Sequence, residues 1–127
     1  MKPWILFKEP WRSQEILLLD RDLVKVLIFI AERWEVHFDD EPMITCAYRN
    51  LAENRGVGAK SMTHPDWRAA DIRVLGLSKN LLLQIKKEVE LEFPELGAIS
   101  SRTGKPNLIV YGDDDHLDHF HIQVRRK

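Results

Sequence analysis

The residues able to do chemistry in this chain are five histidines, a lone cysteine and an aspartate-rich stretch near the C-terminus. One cysteine, Cys46, excludes an intrachain disulfide and any multi-cysteine zinc site, and its apolar neighbours mark it as a core residue. A hydrolytic metal centre built without cysteine needs three nitrogen or oxygen ligands and one open position. In His119-Phe120-His121-Ile122-Gln123-Val124 a strand period of two puts His119, His121 and Gln123 on one face and Phe120, Ile122 and Val124 on the other. The apolar face can pack while the histidine face stays free, although a His-x-His on a strand is also a common structural pair. Upstream, Thr63-His64-Pro65-Asp66-Trp67-Arg68-Ala69-Ala70-Asp71-Ile72 sets a histidine just ahead of a strand and an aspartate within it. His64 and Asp71 can therefore meet at one point, with the small Ala69 beside them; the plain alternative keeps His64 in a loop and gives Asp71 to Arg68 or Arg73. Asp118 closes the run Asp113-Asp114-Asp115-His116-Leu117-Asp118, a pattern of solvated turns that lacks the ordered spacing of a calcium loop. His37 and His116 have no partner that spacing identifies, and Arg49 taken alone is a surface arginine.

The elements that must position these residues can be read from caps and periodicity. Asp20 caps a helix expected from Arg21 to Trp34, with Leu23, Val24, Leu27, Ile30, Ala31 and Trp34 on its inward face. Met43 to Tyr48 and Ala69 to Val74 read as strands, separated by a polar, glycine-containing loop from Arg49 to Ser61. Ser78 caps a second helix through about Phe93, ended by Pro94 and Gly97. The runs Asn107 to Tyr111 and His119 to Val124 flank a turn-rich acidic segment that begins at Gly112, the pattern of an antiparallel hairpin. Strands distributed among two helices predict an α+β fold with a mostly antiparallel sheet and the helices packed on one side. Residues 1–16, with Pro3, Trp4, Pro10 and Trp11, read as an irregular arm.

Composition narrows the classes further. A chain of 127 residues with 44% apolar content suits one domain, 1–127, with one continuous core. Nineteen basic against twenty acidic side chains leave a net charge of −1, which favours neither nucleic acid nor an anionic membrane surface. The basic end Arg125-Arg126-Lys127 reads as a solvated tail. The longest apolar run, Val26 to Ala31, is far short of the ~20 residues that span a bilayer, and the N-terminus lacks the apolar core and cleavage site of a signal peptide. No membrane insertion and a monomer are expected.

In combination these features go further. His64 seven residues before Asp71, the Ala69-Ala70-Asp71-Ile72 strand and the late His119-Phe120-His121 resemble the zinc peptidase superfamily of D-Ala-D-Ala peptidases, lysostaphin-type endopeptidases and the hedgehog signalling domain. Leu19-Asp20-Arg21-Asp22-Leu23 ahead of a helix, then Ile44-Thr45-Cys46-Ala47-Tyr48-Arg49, is similar to the opening of the D-Ala-D-Ala carboxypeptidase and phage L-alanyl-D-glutamate endolysin branch. The resemblance covers about residues 17–124. It implies a zinc site of His64, Asp71 and His121, with Asp118 as general base, Arg49 directed at the substrate and His119 as a flanking group that steadies developing charge. It departs from the family pattern at Trp67, where glycine is usual, at Met62, where serine is usual, and at Ala47, which replaces a glycine. The implied reaction is hydrolysis of an amide in the peptide stem of bacterial peptidoglycan, by an endolysin or a D,D-carboxypeptidase. With no signal peptide, such an enzyme would stay in the cytoplasm until released to the wall by a holin-type partner or by lysis, unless another route secretes it. The alternatives are a zinc-binding module of the same fold without turnover, and a virion structural protein with coincidental histidines.

Overall fold

The computed structural model describes residues 5–8, 18–46, 67–100, 102–112 and 118–125. Among the described residues, two helices and seven short strands follow in the order β1 (Leu6–Phe7), α1 (Arg21–Phe38), β2 (Met43–Cys46), β3 (Ala69–Arg73), α2 (Lys79–Glu92), β4 (Ala98–Ile99), β5 (Pro106–Asn107), β6 (Ile109–Val110) and β7 (His119–Gln123). The main sheet has the order β1-β2-β3-β7-β6, and β4 pairs with β5 in a separate ribbon. The β1–β2 pair is parallel, and the other strand pairs among the described residues are antiparallel. The fold is α+β with a mostly antiparallel sheet.

Both helices start where the sequence places their caps. The Asp20 carboxylate accepts from the Asp22 N–H at 2.8 Å, and Ser78 Oγ accepts from the Leu81 N–H at 3.4 Å, satisfying donors that a helix start leaves open. α1 runs four residues past the expected end at Trp34, because nothing in Glu35-Val36-His37-Phe38 breaks it and the Phe38 ring packs on Trp34, 5.2 Å between centroids. Asp39 then ends it in the left-handed conformation, φ 52°, with its N–H donated to Glu35 O. The inward face of α1 includes Val26, whereas Val24 is only half-buried.

The parity of β3 and β7 decides the architecture. Ala70, Ile72, Phe120 and Ile122 are fully buried on one sheet face together with Ile44 and Ile109. Leu23, Val26, Leu27, Ile30 and Trp34 of α1 and Leu82, Ile85 and Val89 of α2 pack against them in a single cluster, so both helices cover the same face. Phe120 lies at its centre, in edge contact with Trp34 at 5.8 Å and Tyr111 at 5.2 Å. Removing so large a buried ring would cost ~3–5 kcal/mol.

Four expectations need correction. Within residues 1–16, Leu6–Phe7 is not irregular but an edge strand, held by Leu6 N–H to Pro42 O and Lys8 N–H to Ile44 O, both 2.9 Å; two residues are too few to show a period. The strand expected over Ala69 to Val74 stops at Arg73, and Val74 instead donates its N–H to Asp118 O at 3.0 Å. The run Asn107 to Tyr111 is not one strand: Asn107 pairs with Ala98 and Ile109 with Ile122, so the chain changes partner at Leu108. Gly97 does not end α2, whose last residue is Glu92. It lets two backbones meet, since a Cβ there would lie 2.6 Å from Leu108 N.

Candidate metal centre

The sheet face opposite the helices carries the polar residues. β3 and β7 pair antiparallel with Asp71 directly across from His121, Arg73 across from His119 and Ala69 across from Gln123. Directly opposed residues project from the same face with Cβ atoms ~5 Å apart, so register alone brings Asp71 and His121 together across 50 positions of sequence. Their side chains meet at 2.8 Å between His121 Nδ1 and Asp71 Oδ1, and both residues are only 8% exposed. His119 Nε2 stands 3.9 Å from the same carboxylate oxygen.

The hydrogen bonds around His121 fix what that pair can hold. Gln123 Nε2 donates to Asn107 O at 3.0 Å, which turns the amide so that Gln123 Oε1 accepts from His121 Nε2 at 3.1 Å. With Nε2 directed at Gln123, the ring turns Nδ1 toward Asp71. Because a carboxylate only accepts, the 2.8 Å contact is a hydrogen bond donated by Nδ1, whose proton a metal ion held between the two groups would replace. Nitrogen and oxygen donors, low exposure and an outer hydrogen bond that sets the tautomer are what a zinc site asks for. Asp71 and His121 therefore fit two of three ligands. Among the described residues, no group of three or more His, Cys, Asp or Glu side chains is arranged to hold a metal ion. His64, the third ligand implied by resemblance, lies outside the described residues, as do Arg49, Ala47, Met62 and the Asp113–Asp115 stretch.

Asp118 and His119 form a second pair at the edge of this site. A carboxylate can only accept, so His119 Nδ1 donates to Asp118 Oδ1, at 2.8 Å. That bond is the main reason the Asp118 pKa lies below the ordinary carboxylate value, outweighing the opposing effect of burial, with the charge of His119 adding to it. Asp118 is thus ionised through the neutral range and able to accept a proton. Its backbone is fixed by the bond from Val74 N–H, which anchors the start of β7 to the end of β3.

The structure brings Asp71, His121, His119 and Asp118 into one neighbourhood. Gln123 and Asn107 were not singled out from the sequence for any role. Parity places Gln123 on the histidine face, which was the available signal; Asn107 contributes only a carbonyl oxygen, which no sequence pattern marks. Arg68, a candidate partner for Asp71, donates from Nη1 to Val124 O at 3.0 Å. Trp67 is also explained: its φ is 62°, in the left-handed region where glycine is at ease, and its carbonyl accepts from Asp20 N–H at 2.9 Å. The glycine usual at this place in the resembling family suits that conformation, and here a tryptophan packed partly against the core tolerates it.

Residues 12–103 match the family Peptidase M15, and the chain belongs to that family. This is a family of zinc-dependent metallopeptidases of the D-Ala-D-Ala carboxypeptidase and endolysin type. No curated protein and no solved structure shows a significant match. The matched segment contains Arg49, His64 and Asp71 but ends before His119, so what joins the last strand to it is the pairing of β7 with β3. Among the described residues no helix is long and apolar enough to cross a membrane.

Proposed function

We propose that this protein is a zinc peptidase that hydrolyses an amide in the peptide stem of bacterial peptidoglycan, as a phage-type endolysin or a D,D-carboxypeptidase. The observation that carries the proposal is the buried contact between Asp71 and His121, a ring nitrogen and a carboxylate oxygen 2.8 Å apart across the β3–β7 pair. In this reading His64, Asp71 and His121 hold the metal. Bound zinc would acidify a water molecule and polarise the scissile carbonyl.

The chain's own residues do the rest. Asp118, ionised and anchored at the start of β7, accepts a proton from the attacking water and returns it to the leaving amine nitrogen. His119 Nδ1 holds the Asp118 carboxylate in place, while its Nε2 faces the Asp71 side, where the protonated ring can steady negative charge that develops on the substrate. Arg49 is assigned the substrate carboxylate or the oxyanion. Ala69, opposite Gln123, adds no bulk beside the ligands. The site rests on paired strands packed over a core, which holds donors in position without reorganisation at the moment of reaction.

Two measurements on the purified protein test this together. Metal analysis should find about one zinc per chain, or uptake of one when offered, and mass spectrometry of peptidoglycan fragments should show a stem-peptide amide cut that a chelator abolishes. Zinc-independent cutting would overturn the metal assignment. Stoichiometric zinc without any stem cleavage would overturn the substrate.

A further inference from the structure

Beside the Asp118–His119 pair the sheet face opens into a groove of about 290 Å3 lined by Lys8, Thr45, Arg73, Leu75, Asp118 and His119. Its elements are fixed. Lys8 follows edge strand β1 and is tied by its N–H to Ile44 O, Arg73 stands opposite His119 in the β3–β7 register, and Leu75 projects from the turn after β3, 63% exposed. Among the described residues the lining holds two basic side chains, Lys8 and Arg73, against one carboxylate, Asp118. That carboxylate is already engaged by His119 Nδ1. In a chain whose net charge is only −1, two cations at one groove beside the candidate centre leave a local excess of positive charge with an exposed aliphatic wall.

We propose that this groove is a subsite for a carboxylate of the substrate, with Lys8 and Arg73 receiving the anion and Leu75 lying against an adjoining aliphatic side chain such as an alanine methyl. The inference rests on the stem-peptide reading above and extends it by naming where selectivity for an acidic peptide resides. A guanidinium offers a planar fork that matches a carboxylate, and an ammonium adds a second charge without demanding geometry. The groove volume suits one or two small residues rather than a long chain. The anion could be the terminal carboxylate of the stem or the free α-carboxylate of its γ-linked glutamate, and the two sources are separable by amidating one at a time.

The test uses the zinc-loaded protein and three versions of one stem peptide: the free acid, the C-terminal carboxamide and the form with the glutamate α-carboxylate amidated. Turnover gives kcat and KM, and calorimetry gives Kd for each peptide. In the parent, amidating the carboxylate that occupies the groove should weaken binding about tenfold, the lower end for a charge-assisted contact in an open site, with the loss in KM rather than kcat. Arg73→Ala and Lys8→Ala should each show a comparable loss on the free acid, and their preference for it over the amide should collapse toward unity. Arg73→Lys should recover part of the preference. Parental KM and Kd for the free acid in both alanine variants, or a parent that does not distinguish any amide from the acid, would overturn the subsite. If no peptide is turned over but the acid-over-amide binding preference is present and lost in the variants, the subsite stands and the peptidase reading fails.

Discussion

Replacing Gln123 tests whether the outer hydrogen bond on His121 sets up the metal site. In Gln123→Leu the side chain keeps much of its shape but loses both polar contacts, Oε1 from His121 Nε2 at 3.1 Å and Nε2 to Asn107 O at 3.0 Å. The ring is then free to take either tautomer, and only the one with its proton on Nε2 presents Nδ1 to the site. Partners of this kind are worth ~10- to 100-fold in metal affinity, which is ~1.4–2.7 kcal/mol. Metal-free stability should fall by a comparable amount, ~1–2 kcal/mol, because two hydrogen bonds of ~0.5–1.5 kcal/mol each are lost at a half-buried position that water can partly reach. Gln123→Glu separates the two effects. It keeps an acceptor for His121 but sets a carboxylate against the Asn107 carbonyl, so its zinc affinity should stay nearer the parent's while its metal-free stability falls at least as far. Competition with a chelating indicator gives the zinc Kd, and urea unfolding of the metal-free proteins gives the stability. A leucine variant that binds zinc within about twofold of the parent, against the ~10-fold minimum expected, would refute the orienting role. So would a glutamate variant whose zinc affinity drops in step with its stability.

Three further outcomes follow from other parts of the structure. Asp118→Asn should lower turnover ~10²- to 10⁴-fold while zinc content stays parental, whereas His121→Ala should lose zinc and activity together; near-parental turnover in the asparagine variant would show Asp118 to be a turn residue. Glu88 of α2 accepts from Arg33 Nε and His37 Nε2 of α1 and from Gln84 Nε2, at 3.1, 2.9 and 3.2 Å. Burial raises its pKa, but the bonds from Gln84, His37 and Arg33 outweigh it and hold the folded value below the ordinary one. Its stabilisation is thus present in full above the unfolded value of ~4.3 and lost as pH falls through the depressed folded value. The gap in Tm between parent and Glu88→Gln should accordingly narrow as pH drops from 6 to about 3, and a constant gap would contradict the network. Gly97→Ala should cost ~1–3 kcal/mol in urea unfolding, because the new Cβ meets Leu108 N at 2.6 Å and Asn107 N at 2.9 Å; unchanged stability would mean that the β4–β5 ribbon yields freely.

What could be read from the sequence was whatever depends on neighbours a few positions apart. The caps Asp20 and Ser78 gave both helix starts, and the period of two in His119–Val124 separated a packing face from a polar face. Those signals are local because a cap bonds within its own turn and strand parity is a property of one backbone. Cross-strand partners are different. That His121 faces Asp71 follows from which residue of β7 lies opposite which residue of β3, and spacing along the chain does not fix it; resemblance to a family supplied that link before the register did. The partner change at Leu108 was hidden for the same reason, since Asn107-Leu108-Ile109-Val110-Tyr111 is a good strand pattern whichever sheet each half joins. Gly97 and Trp67 mark the two opposite failures. One glycine serves a close approach that resembles a helix stop, and one tryptophan occupies a left-handed backbone that side-chain type alone argues against.

The alternation of β7 also governs how faithfully the protein can fold. β7 lies between β3 and β6 and bonds to both, and its inward and outward residues interleave one by one. Pairing one step out of register would turn Phe120 and Ile122 outward and drive His119, His121 and Gln123 into the apolar layer without partners, at several kcal/mol for each stranded polar group. A mispaired chain therefore loses its core and its working face in a single error, and no well-packed form with a scrambled site is open to it by this route. On refolding from denaturant, the recovered zinc-binding capacity should track the recovered native tertiary signal one for one.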